Sequence, residues 1–409
     1  MSRLTCQSRL HKLRGFVRCS AYFSPRSSYS RQLETMVATN CCTSSNIMSS
    51  VTPERSDNDG PQPQLVISAH DSSIRALTYL PNGRVVTGSR DKTVRVWNLE
   101  NGEQEGTSML HENGVYSLAV TQDGTKITSC DEVGVIKVWD VESHQLVKEW
   151  IQPDWVPIAI SPDDRFIAQA YQTIFIHAIE GEWPVNQLIG VGKKVWSMSF
   201  SPDSDKLACS TCDDNIRVYD VSNGALVLGP IKGHQRLIWN LLWSHDGSRL
   251  FSGSWDGTIR CWNSDTGEQI GHPWTGHTDD INSISLSPDG SILASASHDQ
   301  TVRFWDAASG CPIGQPLRHE ERIHAVCFSP SGEFVASAGL DGKIYLWQVP
   351  CIGTIENQVM MPIRCITALV LITLHSLIDT SSSPRREQPT RPSSFPHPTI
   401  TISHTHSRK

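Results

Sequence analysis

The amino-acid sequence predicts an all-β fold in which one unit of about 42 residues is repeated seven times. Three observations lead to this prediction: a hexapeptide that recurs at a nearly constant interval, a four-residue turn that keeps the same interval, and apolar residues that alternate around each turn. Self-similarity at a fixed period of a few tens of residues is typical of folds in which each unit stacks on its neighbours.

The hexapeptide ends each unit, and its fifth residue is aromatic in six copies, whereas the degenerate third copy, TIFIHA, carries a histidine there. Successive fifth residues are separated by 42, 38, 42, 43, 43 and 42 positions. They are Trp97, Trp139, His177, Tyr219, Trp262, Trp305 and Trp347. A repeat this regular indicates one continuous architecture, although the length of 409 residues would also allow two or three domains.

The turns have the form Ser-Pro-Asp-Gly or a close variant, in which Pro presets φ for a type I turn and Gly follows the Asp. They are residues 80–83, 121–124, 161–164, 201–204, 244–247, 287–290 and 329–332. Ile284 and Leu286 before the sixth turn, and Ile292, Ala294 and Ala296 after it, show the period-two alternation of half-buried strands. Each unit therefore has about four short strands, which bury a face only by stacking radially on the next unit.

These units resemble WD repeats, which build β-propellers. The resemblance covers residues 64–349 and implies a seven-bladed β-propeller, with residues 63–350 as the folded domain. No fourth strand is evident after Val349, and residues 64–68 resemble an outer strand, so we expect this N-terminal strand to close the ring and remove its exposed sheet edges. We expect residues 1–62 to form a disordered basic extension, and residues 351–409 a disordered low-complexity tail with a short apolar segment.

The resemblance also gives recurring polar residues a structural role. In WD repeats a His before the first strand, a Ser or Thr on the second, an Asp in the next turn and the Trp form one hydrogen-bonded network, and its repetition in several blades is not what a single catalytic site requires. The matching residues are His70, Thr87, Asp91 and Trp97 in copy one, His234, Ser252, Asp256 and Trp262 in copy five, His277, Ser295, Asp299 and Trp305 in copy six, and His319, Ser337, Asp341 and Trp347 in copy seven.

Copies two to four depart from this pattern. Val133 stands in place of the Asp in copy two, Gln152 and His177 replace the His and the Trp of copy three, and copy four has Cys209 and Tyr219. We therefore hypothesise that blades two to four form the less stable side of the ring.

With no catalytic constellation in the sequence, we expect function to lie on surface loops. In WD repeats the top face, around the mouth of the channel, is the commonest partner site, and three positions per blade line it. Carried onto this sequence, these positions give Asp154 and Val156 in blade three, and elsewhere a candidate partner site formed by Arg75, Arg90, Tyr116, Trp196, Trp239, Trp255, Asp280 and Arg322. Large aromatic residues dominate interface hot spots. Packing of these rings against neighbouring loops is the alternative explanation.

The sequence thus predicts a non-enzymatic scaffold that binds a protein or peptide on its top face, as a monomeric propeller within a larger complex, with no cofactor. We assign no metal, since scattered polar residues explain Asp280, His298 and His324 near the mouth. The alternative function is a reader of basic peptides such as histone tails, because residues 64–349 hold 35 acidic and 21 basic residues. The same balance argues against nucleic acid as the partner of the core.

Twelve cysteines without a disulfide framework, and the absence of an Asn-x-Ser/Thr sequence, favour a reduced intracellular compartment, cytoplasmic or nuclear. Residues 1–33 are rich in Arg and Ser and contain no acidic residue, as in mitochondrial transit peptides. Composition is the only support for a transit peptide, and the alternatives are a disordered tail or a true start at Met36 or Met48. Residues 359–378 are apolar but interrupted by Pro362, Arg364 and His375, which argues against a membrane anchor.

Overall fold

The computed structural model describes residues 60–152, 154–179 and 185–350, and of residues 185–188 only the backbone. In these residues the chain forms 28 β-strands and no helix. The strands make seven antiparallel sheets of four strands each. The predicted all-β fold with seven blades is confirmed.

The strands of each blade run outward from the centre of the ring. Blades one to three consist of β2 (Ile74–Tyr79), β3 (Val85–Ser89), β4 (Thr93–Asn98) and β5 (Glu103–Leu110); β6 (Val115–Val120), β7 (Lys126–Asp131), β8 (Val135–Asp140) and β9 (Leu146–Ile151); and β10 (Ile158–Ile160), β11 (Phe166–Ala170), β12 (Thr173–Ala178) and β13 (Val185–Gly190). Blades four to six consist of β14 (Val195–Phe200), β15 (Lys206–Thr211), β16 (Ile216–Asp220) and β17 (Leu226–Ile231); β18 (Ile238–Trp243), β19 (Arg249–Ser254), β20 (Thr258–Asn263) and β21 (Gln269–Thr275); and β22 (Ile281–Leu286), β23 (Ile292–Ser297), β24 (Thr301–Asp306) and β25 (Pro312–Arg318).

Blade seven is completed by a strand from the other end of the propeller. It contains β26 (Ile323–Phe328), β27 (Phe334–Gly339) and β28 (Lys343–Gln348), and its outer strand is β1 (Leu65–Ser68). The register runs antiparallel from Leu65 opposite Leu346 to Ser68 opposite Lys343. The predicted closure by an N-terminal strand is therefore confirmed.

The hydrophobic core is divided among the interfaces between blades. The first strand of each blade contacts the first strand of the next, and β26 contacts β2, so the first strands form a closed inner ring. Seven clusters of buried apolar side chains lie between neighbouring blades, one at each interface. Because no blade has a core of its own, each is stabilised by its neighbours.

The predicted turns join the first and second strands of every blade. In each, the N–H of the fourth residue donates to the carbonyl of the first at 2.8–3.0 Å. The fourth residue has a positive φ, which Gly adopts without strain in five blades, whereas blade three has Asp164 (φ 57°) and blade four Ser204 (φ 63°). The carboxylate of Asp164 accepts the backbone N–H groups of Gln122 and Asp123 in blade two, at 2.6 and 2.8 Å.

No helix among the described residues is long and apolar enough to cross a membrane. The predicted basic extension up to residue 59, the predicted tail from residue 351 and the apolar segment 359–378 lie outside the described residues.

Candidate functional site

The recurring polar network is closed within blades one, five and six. In blade one His70 contacts Asp91 through Nδ1 at 2.8 Å and Thr87 through Nε2 at 2.7 Å, while the indole of Trp97 donates to Thr87 at 2.9 Å. The same contacts recur in blades five and six at 2.7–2.9 Å. Burial acts to raise the pKa of Asp91, but hydrogen bonds from His70 and Thr93 prevail and hold it well below its usual range. The polar groups of these networks are therefore engaged in hydrogen bonds that stabilise the blades.

Blade seven departs from the predicted network. His319 contacts Ser337 at 3.1 Å, but Asp341 accepts a hydrogen bond from the hydroxyl of Tyr345 at 2.7 Å and forms none with His319. The network expected for blade seven therefore joins His319, Ser337 and Trp347 but does not include Asp341. The reason is Tyr345, which stands where blades one, five and six have Arg, and whose ring packs edge-on against His319 at 4.3 Å.

Blade two replaces its missing carboxylate from a different position. Val133 stands where the Asp was expected, and the fully buried Asp131, two residues earlier, accepts the N–H groups of Val133 and Val135 at 3.1 and 2.8 Å. Its second oxygen lies 3.7 Å from Nδ1 of His111. Blade two thus has a carboxylate beside the histidine that the sequence pattern does not reveal.

In the interior of blade three, an amide side chain forms the hydrogen bonds that a hydroxyl forms in other blades. Gln169 occupies the position of the network hydroxyl, and its Nε2 lies 3.0 Å from Nε2 of His177. The indole of Trp150, on the outer strand of blade two, donates to Oε1 of Gln169 at 2.7 Å. The interiors of blades two and three therefore form their own hydrogen bonds despite their irregular sequences.

The predicted partner residues lie at one end of the ring, which we call the top face. The first strand of each blade begins at this end and the second strand ends there, as the pairing of Ile74 with Ser89 shows. In blade one this places Arg75 beside Arg90, whose N–H donates to the carbonyl of Ser73 at 3.0 Å. The other predicted residues occupy equivalent places in their own blades.

Five aromatic rings of blades two to five form a continuous layer on the top face, which we call the aromatic shelf. Trp155 stacks on Trp239 at 5.7 Å and Trp239 on Trp255 at 5.1 Å, while Trp196 contacts both Trp155 and Trp239 at 5.9 and 5.4 Å. Tyr116 meets Trp155 edge-on at 6.1 Å. All five rings are half-buried, so the layer presents a surface to solvent.

Trp155 was missed by the sequence argument, which placed Asp154 and Val156 at the lining positions of blade three. Val156 is fully buried in the core between blades two and three, so it is the first apolar residue of the inner segment, and Trp155 is its lining neighbour. The register assumed for blade three was therefore wrong by one residue. The signal available was an aromatic residue adjacent to a Val, which precedes Val156 in blade three and follows Val115 and Val195 in blades two and four.

Two cations pack against rings of the shelf. Lys194 lies 4.8 Å from the ring centre of Trp196 and forms an ion pair with Asp154 at 3.1 Å. Arg236 lies over Trp255 at 5.9 Å and donates to Asp280 at 2.7 Å. Asp280, predicted as a partner residue, is thus already neutralised within the chain.

The remaining sector, formed by blades six, seven and one, is cationic. Arg75 lies over the ring of Tyr116 at 5.2 Å, which joins this sector to the shelf. Arg90 and Arg322 are exposed, and the rings of His298 and His324 meet edge-on at 5.3 Å. Burial, together with the charges of Arg75, His298, Arg322 and Arg90, lowers the pKa of His324 to about 3.

The top face also collects buried polar atoms that have no hydrogen-bond partner among the described residues. On the shelf these are the indole nitrogens of Trp155, Trp196 and Trp255, and in the cationic sector Oγ of Ser73, Nε of Arg75 and Nε2 of His298 and His324. Such groups are rare in folded proteins because each is costly to bury alone. The top face holds seven such atoms, while others, such as the hydroxyls of Thr128 and Ser204 and Nε of Arg303, lie elsewhere among the described residues.

Asp279, Asp280 and His298 bring possible metal-ligating atoms within 4.8 Å of one another. The sequence groups His324 with Asp280 and His298, whereas in the structure Asp279 is the third member. Because Asp280 is bound to Arg236 and lies 3.8 Å from Nδ1 of His298, ion pairing explains this arrangement.

The repeats match the model of a known protein family. The model of the WD domain, G-beta repeat, matches residues 61–98, 102–140, 183–220, 226–263, 267–306 and 310–348, more than half of the chain. The chain belongs to the WD-repeat family. The strands β10–β12 of the degenerate blade three fall between the matched segments.

The curated relatives match only part of the chain. The WD repeat-containing protein SL1-17 of Schistosoma mansoni is 28% identical over 169 residues, which are 39% of this chain and 56% of that protein. VIP3 of Arabidopsis thaliana is 28% identical over 191 residues, 41% of this chain and 59% of that protein. The meiotic recombination protein rec14 of Schizosaccharomyces pombe is 31% identical over 153 residues, 36% of this chain and 51% of that protein. The chain spans less than two thirds of each. WD-repeat propellers are generally scaffolds for protein interactions.

Proposed function

We propose that this WD-repeat propeller is a non-enzymatic scaffold that binds a protein or peptide partner on the aromatic shelf of its top face. The observation that carries the proposal is the shelf itself. Aromatic side chains bury a large area on binding with few rotatable bonds, which makes them the dominant residues of interface hot spots. Rings such as Trp262, which the blade requires, are 2% exposed, whereas the five rings of the shelf remain half-buried.

The unpaired indole nitrogens support the same proposal. Trp155, Trp196 and Trp255 each have a buried N–H without an acceptor among the described residues. A buried donor without a partner costs about 1–3 kcal/mol. A peptide backbone laid across the shelf would offer carbonyl groups to these donors, so binding would remove a cost that the free propeller carries.

The polar residues that could suggest catalysis are explained by structure. The His, Asp and Ser or Thr groups of blades one, five and six make the same contacts at the same distances three times over, and each set is closed by the indole of a buried Trp. An active site requires one set that departs from its copies and opens to substrate. This supports a scaffold over an enzyme.

The test is the double variant W239A/W255A of the full-length chain, compared with the unchanged chain by affinity purification and mass spectrometry. The matched control is L226A/V227A, which removes exposed apolar side chains from the edge of blade four, away from the shelf. We expect the double Trp variant to lose its specific partners and the control to retain them, with both folded by circular dichroism. An unchanged partner set in W239A/W255A would overturn the proposal.

A further inference from the structure

We propose that the cationic sector of blades six, seven and one is a preformed anion site, which takes a carboxylate or phosphate group of the peptide bound on the aromatic shelf. This inference rests on the proposed function, and it adds the chemical class of the partner: an acidic peptide segment with an adjacent apolar stretch.

The charges of this sector are free, whereas those of the shelf are paired. Lys194 and Arg236, which pack against shelf rings, are bound to Asp154 and Asp280. By contrast, no ion pair is found among the described residues for the arginines of the sector, Arg75, Arg90 and Arg322. Arg249, Arg260, Arg303 and Arg318 also form no ion pair among the described residues, so the distinguishing feature of the sector is that three such arginines share one face of the ring.

Buried polar atoms point to the same place. His324 is 9% exposed and Ser73 is 3% exposed, yet Nε2 of the first and Oγ of the second have no partner in the described part of the chain. Nε of Arg75 and Nε2 of His298 are also buried and have no partner in the described part of the chain. An anion placed between them would accept hydrogen bonds from the guanidinium, the hydroxyl and the imidazole N–H groups.

Neighbouring rings position part of the site. Arg75 is held over Tyr116, and the two histidines pack edge-on against each other. At Gly114 an added Cβ would lie 3.1 Å from Cα of Arg90, so the absence of a side chain there lets blade two approach the arginine closely. Arg75 and the two histidines are therefore positioned before binding and lose little entropy when the anion arrives.

Guanidinium groups match carboxylates and phosphates because they donate two parallel hydrogen bonds, which are stronger than those between neutral groups. Asp279 and Asp280 border the sector on blade six; Arg236 neutralises Asp280, and the exposed Asp279 leaves one negative charge against the three arginines. The free charge of the site is therefore positive. This argues against the basic-peptide reader that the total charge of the chain suggested, because a lysine- or arginine-rich segment would meet unpaired arginines at the mouth.

Tyr116 makes the anion site continuous with the shelf, because it contacts Trp155 on one side and lies under Arg75 on the other. A single extended segment can therefore place an acidic group on the arginines and an apolar group on the tryptophans. A nucleic acid strand could also combine stacking with phosphate contacts. The acidic excess of the propeller disfavours such a polyanion, so we argue for the peptide and make nucleic acid an outcome of the test.

The test uses the immobilised full-length chain and four pools of synthetic peptides with degenerate flanks and one fixed central residue: Glu, phosphoserine, Gln or Lys. We expect the Glu or the phosphoserine pool to be retained about tenfold more than the Gln and Lys pools, and the comparison between those two distinguishes carboxylate from phosphate. The variant R90Q/R322Q changes only exposed side chains and should abolish this preference. The control R165Q/K206Q, at the opposite end of the ring, removes the same charge and should keep it.

Two results would overturn the anion site. One is equal retention of all four pools by the unchanged chain, including no retention of any. The other is an acidic preference that survives in R90Q/R322Q. Retention that depends on Trp239 and Trp255 but not on the central residue would leave the proposed scaffold function standing and remove the anion site alone. Stronger arginine-dependent retention of an oligouridine probe than of any peptide pool would assign the sector to nucleic acid instead.

Discussion

In the interior of blade five Ser252 links His234 to Trp262, and each of these polar groups has its hydrogen-bonding partner. On the top face His298 and His324 are also largely buried, but each keeps a nitrogen without a partner among the described residues. The two regions use the same residue types in opposite ways. Polar groups that are saturated inside a blade stabilise the fold, whereas groups left unsaturated at one end of the ring are available to a partner.

The largest effect is expected from removing the strand that closes the ring. Deleting residues 64–68 removes β1, leaves the outer edge of β28 without its partner and takes Ile67 from the core between blades seven and one. We expect the melting temperature to collapse. Deleting residues 351–409 is the comparison and should leave it unchanged. Equal melting temperatures of the two truncated chains would contradict the closure as a source of stability.

A matched pair of Thr→Val substitutions measures how much a buried, fully hydrogen-bonded hydroxyl contributes to the free energy of unfolding. Thr87 and Thr128 are both fully buried on second strands, but Thr87 serves His70 and Trp97, whereas Thr128 has no side-chain partner among the described residues. T87V should destabilise the chain by about 2–4 kcal/mol because it leaves two buried groups unsatisfied. T128V should be neutral or stabilising by up to about 1 kcal/mol. Denaturant unfolding measures both, and equal losses would refute the distinction.

The pH dependence of stability separates the histidines from the carboxylates. Burial lowers the pKa of His319 to about 4 and, with nearby cations, that of His324 to about 3. Both are neutral when folded but gain a proton in the unfolded chain below about 6.5, so stability should fall as pH drops from 6.5 towards 4. The pKa values of Asp91, Asp256 and Asp299 are lowered, so their contribution is lost only below about 4.

Thermal unfolding across this range checks the assignment. H324Q should remove part of the loss between pH 6.5 and 4 and leave the loss below pH 4 in place. A melting temperature that stays constant from pH 7 to 4.5 would show that the buried histidines do not limit stability.

The smallest expected effect concerns the turns of blades three and four, where the same substitution should have opposite signs. Ser204 has a positive φ and a buried hydroxyl without a partner among the described residues, so S204G should stabilise by up to about 1 kcal/mol. Asp164 has a similar φ but accepts two N–H groups of blade two, so D164G should destabilise by about 1 kcal/mol. Changes of the same sign in calorimetry would contradict this difference.

The parts of the fold that sequence reasoning predicted are those that each unit repeats. The turns, the aromatic endings and the networks of blades one, five and six depend on residues close in sequence, and seven copies reveal their pattern. The closing strand was predictable because its absence from the last copy leaves an edge that must be covered.

The features that sequence reasoning missed arise where one copy departs from the others or where distant blades meet. Asp131 supplies the carboxylate of blade two from a position two residues before the usual one. In blade seven Asp341 accepts a hydrogen bond from Tyr345 instead of His319. Trp155 could not be placed without knowing that Val156 enters the core. The clustering of unpaired groups in blades six, seven and one depends on the curvature of the ring, which joins residues about 250 positions apart in the sequence.

The most direct test of the central claim is hydroxyl-radical footprinting of the full-length chain, alone and with the partner captured from cells. The experiment measures the oxidation of Trp155, Trp239 and Trp255 on the shelf. Leu226 and Val227, on the edge of blade four, are the internal controls. We predict that oxidation of the shelf tryptophans falls in the complex while the controls are oxidised as in the free chain. Unchanged oxidation of the shelf, with the partner bound, would contradict the assignment of function to the top face.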